Sequence, residues 1–173
     1  KIHDQLEESG ATKHLRSAAF EMALFGTGVM KGPFAVDKEY PNWGDDGDYD
    51  PLFKTIPQVN HVSVWNFYAD PDANNMDEAQ FVIERHKMSR TQLRNLKKRP
   101  YFRSSVIDEV ISYGENYVKK YWEDDLSDYA PEHGIDRFEV LEYWGVVSKD
   151  IADQCGIESD KDVISINAWI CGG

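Results

Sequence analysis

Aliphatic residues alternate with other side chains near the end of the chain. Between Asp162 and Cys171 every second position is aliphatic: Ile164, Ile166, Ala168 and Ile170. This two-residue period predicts a β-strand with one face turned towards a core. The segment Arg137–Val147 has the same strand character, so we expect the two strands to pair. Between them, Lys149–Gly156 predicts a short helical turn.

Strand patterns also occupy the middle of the chain. Leu52–Tyr68 is rich in β-branched and aromatic residues, and Pro57 marks a break or a sheet edge, because proline cannot donate a backbone hydrogen bond. The sequence Asp70-Pro71-Asp72 predicts a turn that ends this strand. Phe81–Met88 then predicts a second, shorter strand.

The first forty residues combine a helical pattern with a strand. Apolar residues at helical spacing predict a mostly helical Ile2–Met30, which Gly10 divides and the glycines from Gly26 onwards end. Val29–Val36 predicts a strand interrupted at Gly32-Pro33. Tyr40–Pro51 is rich in Gly, Asp and Pro, which predicts a loop.

Two further helices are predicted downstream of the central strands. Ser89–Lys98 begins with Ser89 and Gln92 at the spacing of a capping box. Ser105–Trp122 is predicted to begin in the same way, with Asp108 at the capping distance from Ser105. Its predicted core face consists of Val106, Val110, Ile111, Tyr117, Val118, Tyr121 and Trp122.

These elements predict an α+β fold in which a mostly antiparallel sheet packs against several helices. The length of 173 residues allows one domain or two small ones, and a hydrophobic content of 41% is sufficient for a core. We predict a single region, residues 1–173, built from a helix and strand (1–36), strands and helices (52–122) and a strand pair (135–173). An apolar run at the end of the chain suggests a piece of something larger.

The charge is distributed unevenly. A net charge of −12 opposes nonspecific coating of DNA, because binding to phosphates needs clustered cations. The segment Arg85–Arg103 nevertheless carries eight Lys and Arg residues and no acid, which leaves −20 on the rest of the chain. One predicted helix face carries four of these cations: Arg90, Arg94, Lys97 and Lys98. We predict that this basic face is a subunit contact or a solvated surface, in preference to a phosphate-contacting stripe.

No catalytic or metal-binding motif is complete. Gly26–Gly32 matches no phosphate-loop pattern and follows a helix, so we interpret it as a helix C-terminus. In the second of two acidic clusters Asn75 replaces the turn glycine of an EF-hand, and Phe81 replaces its bidentate Glu. The clusters, which we interpret as solvated turns, are Asp45, Asp46, Asp48 and Asp50, and Asp70, Asp72, Asn74 and Asp77.

The nucleophilic and titratable residues also form no recognisable unit. The five histidines show no HExxH spacing, and no GxSxG surrounds Ser104 and Ser105. His86 lies between Arg85 and Lys87, and neighbouring cations disfavour a protonated imidazole. We therefore predict no enzyme activity, no cofactor and no metal. The cysteines, Cys155 and Cys171, are predicted to be free, buried thiols of a reducing cytoplasm.

The central segments resemble the portal (head-to-tail connecting) proteins of tailed bacteriophages, particularly the podovirus type. The resemblance is carried by VSVWNFYADPDA, an acidic Asp-Glu-Ala, and FVIERHKMSRTQLRNL, in that order. Ala23–Pro33 is similar to the family's glycine-bearing helix end upstream. Phe138–Gly145 and Ile166–Gly173 are similar to its downstream strands. Family portals are considerably longer, so the resemblance implies a fragment of the subunit's outer body, or wing.

The resemblance implies a structural role at one capsid vertex, where the ring supports DNA packaging, DNA ejection and head–tail joining. It implies a homo-oligomer, dodecameric when full length, with terminase, capsid or scaffold, and tail adaptor proteins as partners. Genomic double-stranded DNA passes through such a ring without sequence-specific binding. The implied location is the virion, after assembly in the host cytoplasm. Two alternatives are a protein-interaction domain of another large assembly and a metal-dependent enzyme built on the Asp clusters.

Overall fold

The chain folds into two compact units, residues 1–67 and residues 68–173. The computed structural model describes residues 7, 9–44, 46–118, 120 and 137–172. The α+β class is confirmed, with antiparallel strands accompanied by helices. The boundary between the units falls inside the predicted stretch 52–122, so the three predicted stretches do not coincide with the two units.

The first unit contains one helix and one long hairpin. Helix α1 (Ala11–Phe25) ends at Gly26, whose positive φ of 77° lets its N–H donate to the Met22 carbonyl. This confirms that Gly26–Gly32 begins as a helix C-terminus. Strands β1 (Val29–Tyr40) and β2 (Leu52–Val62) pair antiparallel.

The hairpin tolerates two prolines because its sheet has only two strands. The register shifts at Gly32-Pro33, and Pro57 lies opposite Ala35 within a continuous β2. On the outer edge of a strand, a missing N–H costs no hydrogen bond to a neighbouring strand. Of the two predictions for Pro57, a sheet edge is therefore correct and a break in the strand is wrong. A bridge between Trp43 and Tyr49 closes the hairpin's loop.

The predicted strand Leu52–Tyr68 is interrupted. β2 ends at Val62, a 3₁₀ turn covers Val64–Asn66, and the short strand β3 (Phe67–Ala69) follows. The aromatic residues of this segment predicted one continuous strand, but Trp65 lies in the turn. There its ring makes an edge contact with Phe25 of α1.

The second unit is built on a four-stranded sheet with strand order β3-β4-β5-β6. β4 (Phe81–Met88) pairs antiparallel with β5 (Phe138–Ser148), which pairs antiparallel with β6 (Val163–Ile170). The predicted strand pair is therefore confirmed. The short helix α4 (Lys149–Gln154) joins β5 to β6, also as predicted.

Two helices cover one end of this sheet. Helices α2 (Arg90–Leu96) and α3 (Ser104–Tyr113) contribute the buried residues Leu93, Leu96 and Ile107. These side chains pack against Phe138, which is fully buried, and Val140 of β5. Six partly buried residues surround this core: Met88, Phe102, Val110, Ile111, Trp169 and Cys171.

The predicted helix Ser105–Trp122 is wrong in length and partly in phase. α3 ends at Tyr113, because Gly114 adopts φ 91° and ψ −179°, which no helix continues. Its N-cap is Arg103, without a side-chain cap, so Ser105 and Asp108 do not cap it. Val110 and Ile111 contact the core as predicted, whereas Val106 is exposed and Ile107 takes its place. The predicted core position Val118 is exposed, while Tyr121 and Trp122 lie outside the described residues.

The burial of the cysteines also departs from the prediction. Both thiols are free, but Cys155 is exposed and Cys171 is half-buried. Burial raises the pKa of the Cys171 thiol, more than the hydrogen bond from Asn116 lowers it. Cys171 therefore stays a neutral thiol at neutral pH, which lowers its reactivity.

Candidate functional site

The predicted basic face lies on α2 and the turn that follows it. Ser89 Oγ accepts from Gln92 N–H, and the Gln92 side chain accepts from Ser89 N–H, which confirms the predicted capping box. Because Leu93 and Leu96 are buried against the sheet, the helix can rotate little. The remaining positions of the helix are consequently turned away from the core.

The structure divides the four basic residues into two pairs. Arg90 bonds to Glu115, and Lys97 bonds to Asp108 of α3. Arg94 and Lys98 are exposed, and no carboxylate in the described part of the chain pairs with them. The free basic surface is therefore smaller than predicted, because the acids that neutralise half of it come from a neighbouring element.

Ion pairs at the protein surface contribute little to stability, typically about 0–1 kcal/mol. The hydrogen bond from Arg90 lowers the pKa of Glu115, so this pair persists at neutral pH. Its main effect is to hold Arg90 against its own subunit. Arg94 and Lys98 are left as the cations of this face that can meet another molecule.

A second polar cluster lies on the sheet itself and was not predicted. Glu84 and Glu142 are directly opposite each other in the β4–β5 register, and His86 is two residues beyond Glu84 on the same face. His86 Nε2 lies 2.8 Å from Glu142 Oε2, and His86 Nδ1 lies 3.7 Å from Glu84 Oε1. One donor atom from each of the three residues lies within 4.8 Å of the others.

The interpretation of His86 from its sequence neighbours was wrong. Successive side chains of a strand point to opposite faces, so Arg85 and Lys87 are turned away from His86. Two carboxylates face it instead. The Glu-x-His spacing within a strand was the available signal. Its third member, Glu142, is 58 residues from Glu84 and becomes visible only once β4 and β5 are paired.

The opposite face of the sheet holds a buried cation. Arg85 is 5% exposed, and its Nε donates to Glu139 Oε2 at 2.7 Å. The guanidinium also lies over the Tyr117 ring, 4.8 Å from its centroid, and Lys87 approaches the same ring. These contacts hold the chain after α3 against the sheet. They also remove Arg85 from the free basic surface, whereas Lys87 stays exposed.

In the first unit Glu21 joins α1 to the end of β2. Its carboxylate accepts from Ser63 Oγ at 2.8 Å and from the Val64 N–H at 2.9 Å, and His61 Nε2 lies 3.0 Å away. Burial raises the pKa of Glu21, but these hydrogen bonds and His61 outweigh it and leave the pKa lowered. The Ser63 hydroxyl proton points to the carboxylate and not to the imidazole, so this is no nucleophile–base pair.

In the second acidic cluster, side-chain oxygens accept hydrogen bonds from backbone N–H groups. Asp70 accepts from the N–H groups of Asp72 and Gln80, and Asn75 accepts from those of Asp77 and Glu78. Oxygens used in this way close the turn, as the sequence predicts for Asp-rich loops. In the first cluster Asp46, Asp48 and Asp50 are exposed, and Asp45 lies outside the described residues.

No family model matches the chain, and no curated protein is significantly similar to it. No helix within the described ranges has both the length and the apolar character that crossing a membrane requires.

Proposed function

We propose that the chain is part of a structural subunit of a portal ring, located at one vertex of a tailed-phage capsid. The supporting observation is that four of the segments resembling portal proteins form one sheet and its capped helix. Of the others, Ala23–Pro33 lies in the first unit, and VSVWNFYADPDA spans the boundary between the two units. FVIERHKM forms β4, SRTQLRNL supplies the capped α2, and FEVLEYWG and INAWICGG supply the neighbouring β5 and β6. Similarities that arise by chance have no reason to fall on adjacent strands of one sheet, as three of these four do.

The proposed role is mechanical. The subunit maintains the shape of the wing, contacts neighbouring copies and supports the channel through which a terminase moves double-stranded DNA. The energy for that movement comes from the terminase, which agrees with a Gly26–Gly32 segment that lies at the C-terminal end of a helix, since phosphate loops precede a helix. Capsid or scaffold and tail adaptor proteins are the other proposed partners, and the virion is the proposed location.

The basic face defines where a neighbouring copy would dock. Arg94 and Lys98 are exposed on a chain whose remaining surface is strongly acidic, so one copy offers a complement to another. Contacts between different patches of identical subunits generate rings when the rotation closes. Exposed Asp and Glu residues on the same subunit disfavour tight DNA binding, which suits a channel through which a genome slides.

Charge reversal tests this docking surface. Arg94→Glu combined with Lys98→Glu should weaken self-association of the subunit by about tenfold or more, equivalent to ~1.4 kcal/mol, and the loss should shrink at high salt. Lys97 is left unchanged because its substitution would also break the pair with Asp108. Sedimentation velocity at two salt concentrations measures the effect.

The matched control reverses Lys149 and Lys161 instead. Both are exposed cations of the second unit, so the control changes the net charge by the same amount away from α2. Equal loss of association in both variants would show that net charge, and not this face, is responsible. Submicromolar binding of a defined duplex at physiological salt, abolished by the Arg94/Lys98 reversal, would replace the proposal with a nucleic-acid-binding module.

A further inference from the structure

We propose that Glu84, His86 and Glu142 form a binding site for a divalent transition-metal ion of the zinc class, which links β4 to β5. This inference is independent of the portal proposal. It competes with the sequence-based prediction that the chain binds no metal, which considered only ligands close together in the sequence. A set assembled across two strands has no such linear motif.

The first argument is the ligand chemistry. Imidazole nitrogen and carboxylate oxygen are the ligands with which proteins bind zinc, whereas magnesium and calcium prefer oxygen alone. Atoms bound to one ion at about 2.0–2.2 Å lie at most ~4.4 Å apart. The three donor atoms lie within 4.8 Å of one another, so small side-chain movements bring them to that spacing.

The second argument is the charge balance. Like charges directly opposite each other on neighbouring strands are destabilising, and Glu84 and Glu142 are such a pair. A bound divalent cation compensates both carboxylates at once.

The third argument is that outer contacts already orient two of the ligands. Glu142 Oε1 accepts from Trp144 Nε1 at 2.7 Å and from Asn167 Nδ2 at 3.2 Å, which leaves Oε2 facing His86. The His86 ring stacks on Trp169 with centroids 5.0 Å apart and planes 5° from parallel. Trp169 Nε1 donates to Asn167 Oδ1, so the two supports are themselves connected. Such outer contacts fix ligand geometry in metal sites.

The burial of the three side chains also suits an ion that enters from solvent. The Glu142 side chain is 4% exposed, whereas those of His86 and Glu84 are 22% and 18% exposed. The site thus has a fixed inner ligand and two ligands that solvent can reach. An entry path and a supported inner ligand are both required of a functional metal site.

Zinc titration of the whole chain tests the proposal. Because the exposed Cys155 thiol can also bind zinc, every protein in the experiment carries Cys155→Ser. Isothermal titration with zinc chloride should show one bound ion, and the thermal midpoint of the second unit should rise with zinc. Magnesium chloride should produce neither effect.

Three variants locate the site. His86→Phe removes both ring nitrogens but keeps a ring to stack on Trp169. Glu84→Gln removes one carboxylate. Each variant should weaken zinc binding by at least tenfold. Asn167→Ala should weaken it by about 10-fold or more, as loss of an outer contact does. Glu158→Gln, an exposed carboxylate outside the cluster, is the matched control and should bind like the parent.

Two results would overturn the site. One is the absence of zinc-dependent heat and thermal shift in the parent protein. The other is zinc binding that both His86→Phe and Glu84→Gln leave unchanged, which would locate the ion elsewhere. A His86 side chain that only bridges the two carboxylates by hydrogen bonds, without metal, gives the first result, together with a loss of stability in Glu84→Gln. Using both variants keeps the test valid if one of them fails to fold.

Discussion

The packing of α3 against the sheet makes a sharp prediction about two adjacent residues. Ile107→Ala should destabilise the second unit strongly, while Val106→Ala should change its stability little. Ile107 is 7% exposed and lies in the core cluster, whereas Val106 is 48% exposed. Both substitutions replace a β-branched residue by alanine in the same turn of one helix, so helix propensity changes in the same direction for both.

The expected magnitudes follow from burial. Ile→Ala removes three carbons, worth ~0.8 kcal/mol each, and the cavity left behind adds more, for a total of about 2–5 kcal/mol. Val106 loses two carbons that are half in solvent, about 0.8 kcal/mol, and the gain in helix propensity returns up to ~0.5 kcal/mol. The two variants should therefore differ by ~2–4 kcal/mol.

Urea titration followed at the Trp169 indole resonance measures both values. Trp169 packs against this core, so its resonance reports on the second unit and not on the first. Equal midpoints for the two variants, or a larger loss in Val106→Ala, would show that the helix faces the sheet in a different phase. The arrangement of α3 described above would then be wrong.

Three further predictions concern single contacts. The pKa of Glu21 is lowered in the folded protein, so its contribution to stability is complete above its unfolded pKa of about 4.5. The contribution is lost as pH falls through the folded pKa. Glu21→Gln should therefore flatten this acid dependence in urea melts of the first unit. Ser89→Ala should cost ~0.5–2 kcal/mol in thermal melts by removing the cap of α2, whereas Ser104→Ala, which removes no cap, should cost less. Glu139→Ala should cost about 3–5 kcal/mol in chemical denaturation, because it leaves the Arg85 guanidinium buried without its carboxylate. An unchanged denaturation midpoint would mean that Tyr117 alone satisfies the charge of Arg85.

Local sequence patterns correctly predicted those helices and strands whose own residues contain a capping box, an alternating pattern or flanking turn residues. The bounds of β4 follow from a continuous run of strand formers between turn residues, and α2 begins where its capping box predicts. The β5–β6 pair was predictable because alternation and a short connection favour an antiparallel neighbour. In each case the deciding signal lies within the segment itself or in a short connection between two segments.

The predictions that failed depended on features that a local pattern does not contain. These are contacts with distant residues and, at one position, the backbone conformation of a single glycine. Gly114 stops α3 although the apolar spacing continues beyond it. The partners of Arg90 and Lys97 come from residues 115 and 108, so half of the basic face is neutralised by acids that the helix pattern cannot locate. The Glu84–His86–Glu142 cluster likewise depends on a strand register that no local motif encodes.

The symmetry of the assembled subunit tests the central claim most directly. Native mass spectrometry, combined with negative-stain electron microscopy, should be applied to the longer subunit that the portal resemblance implies. The account predicts closed rings with a single rotational symmetry, twelvefold for the intact subunit, that lose subunits when Arg94 and Lys98 are reversed. A subunit that stays monomeric at high concentration and low salt, with or without those changes, would contradict the portal-ring function.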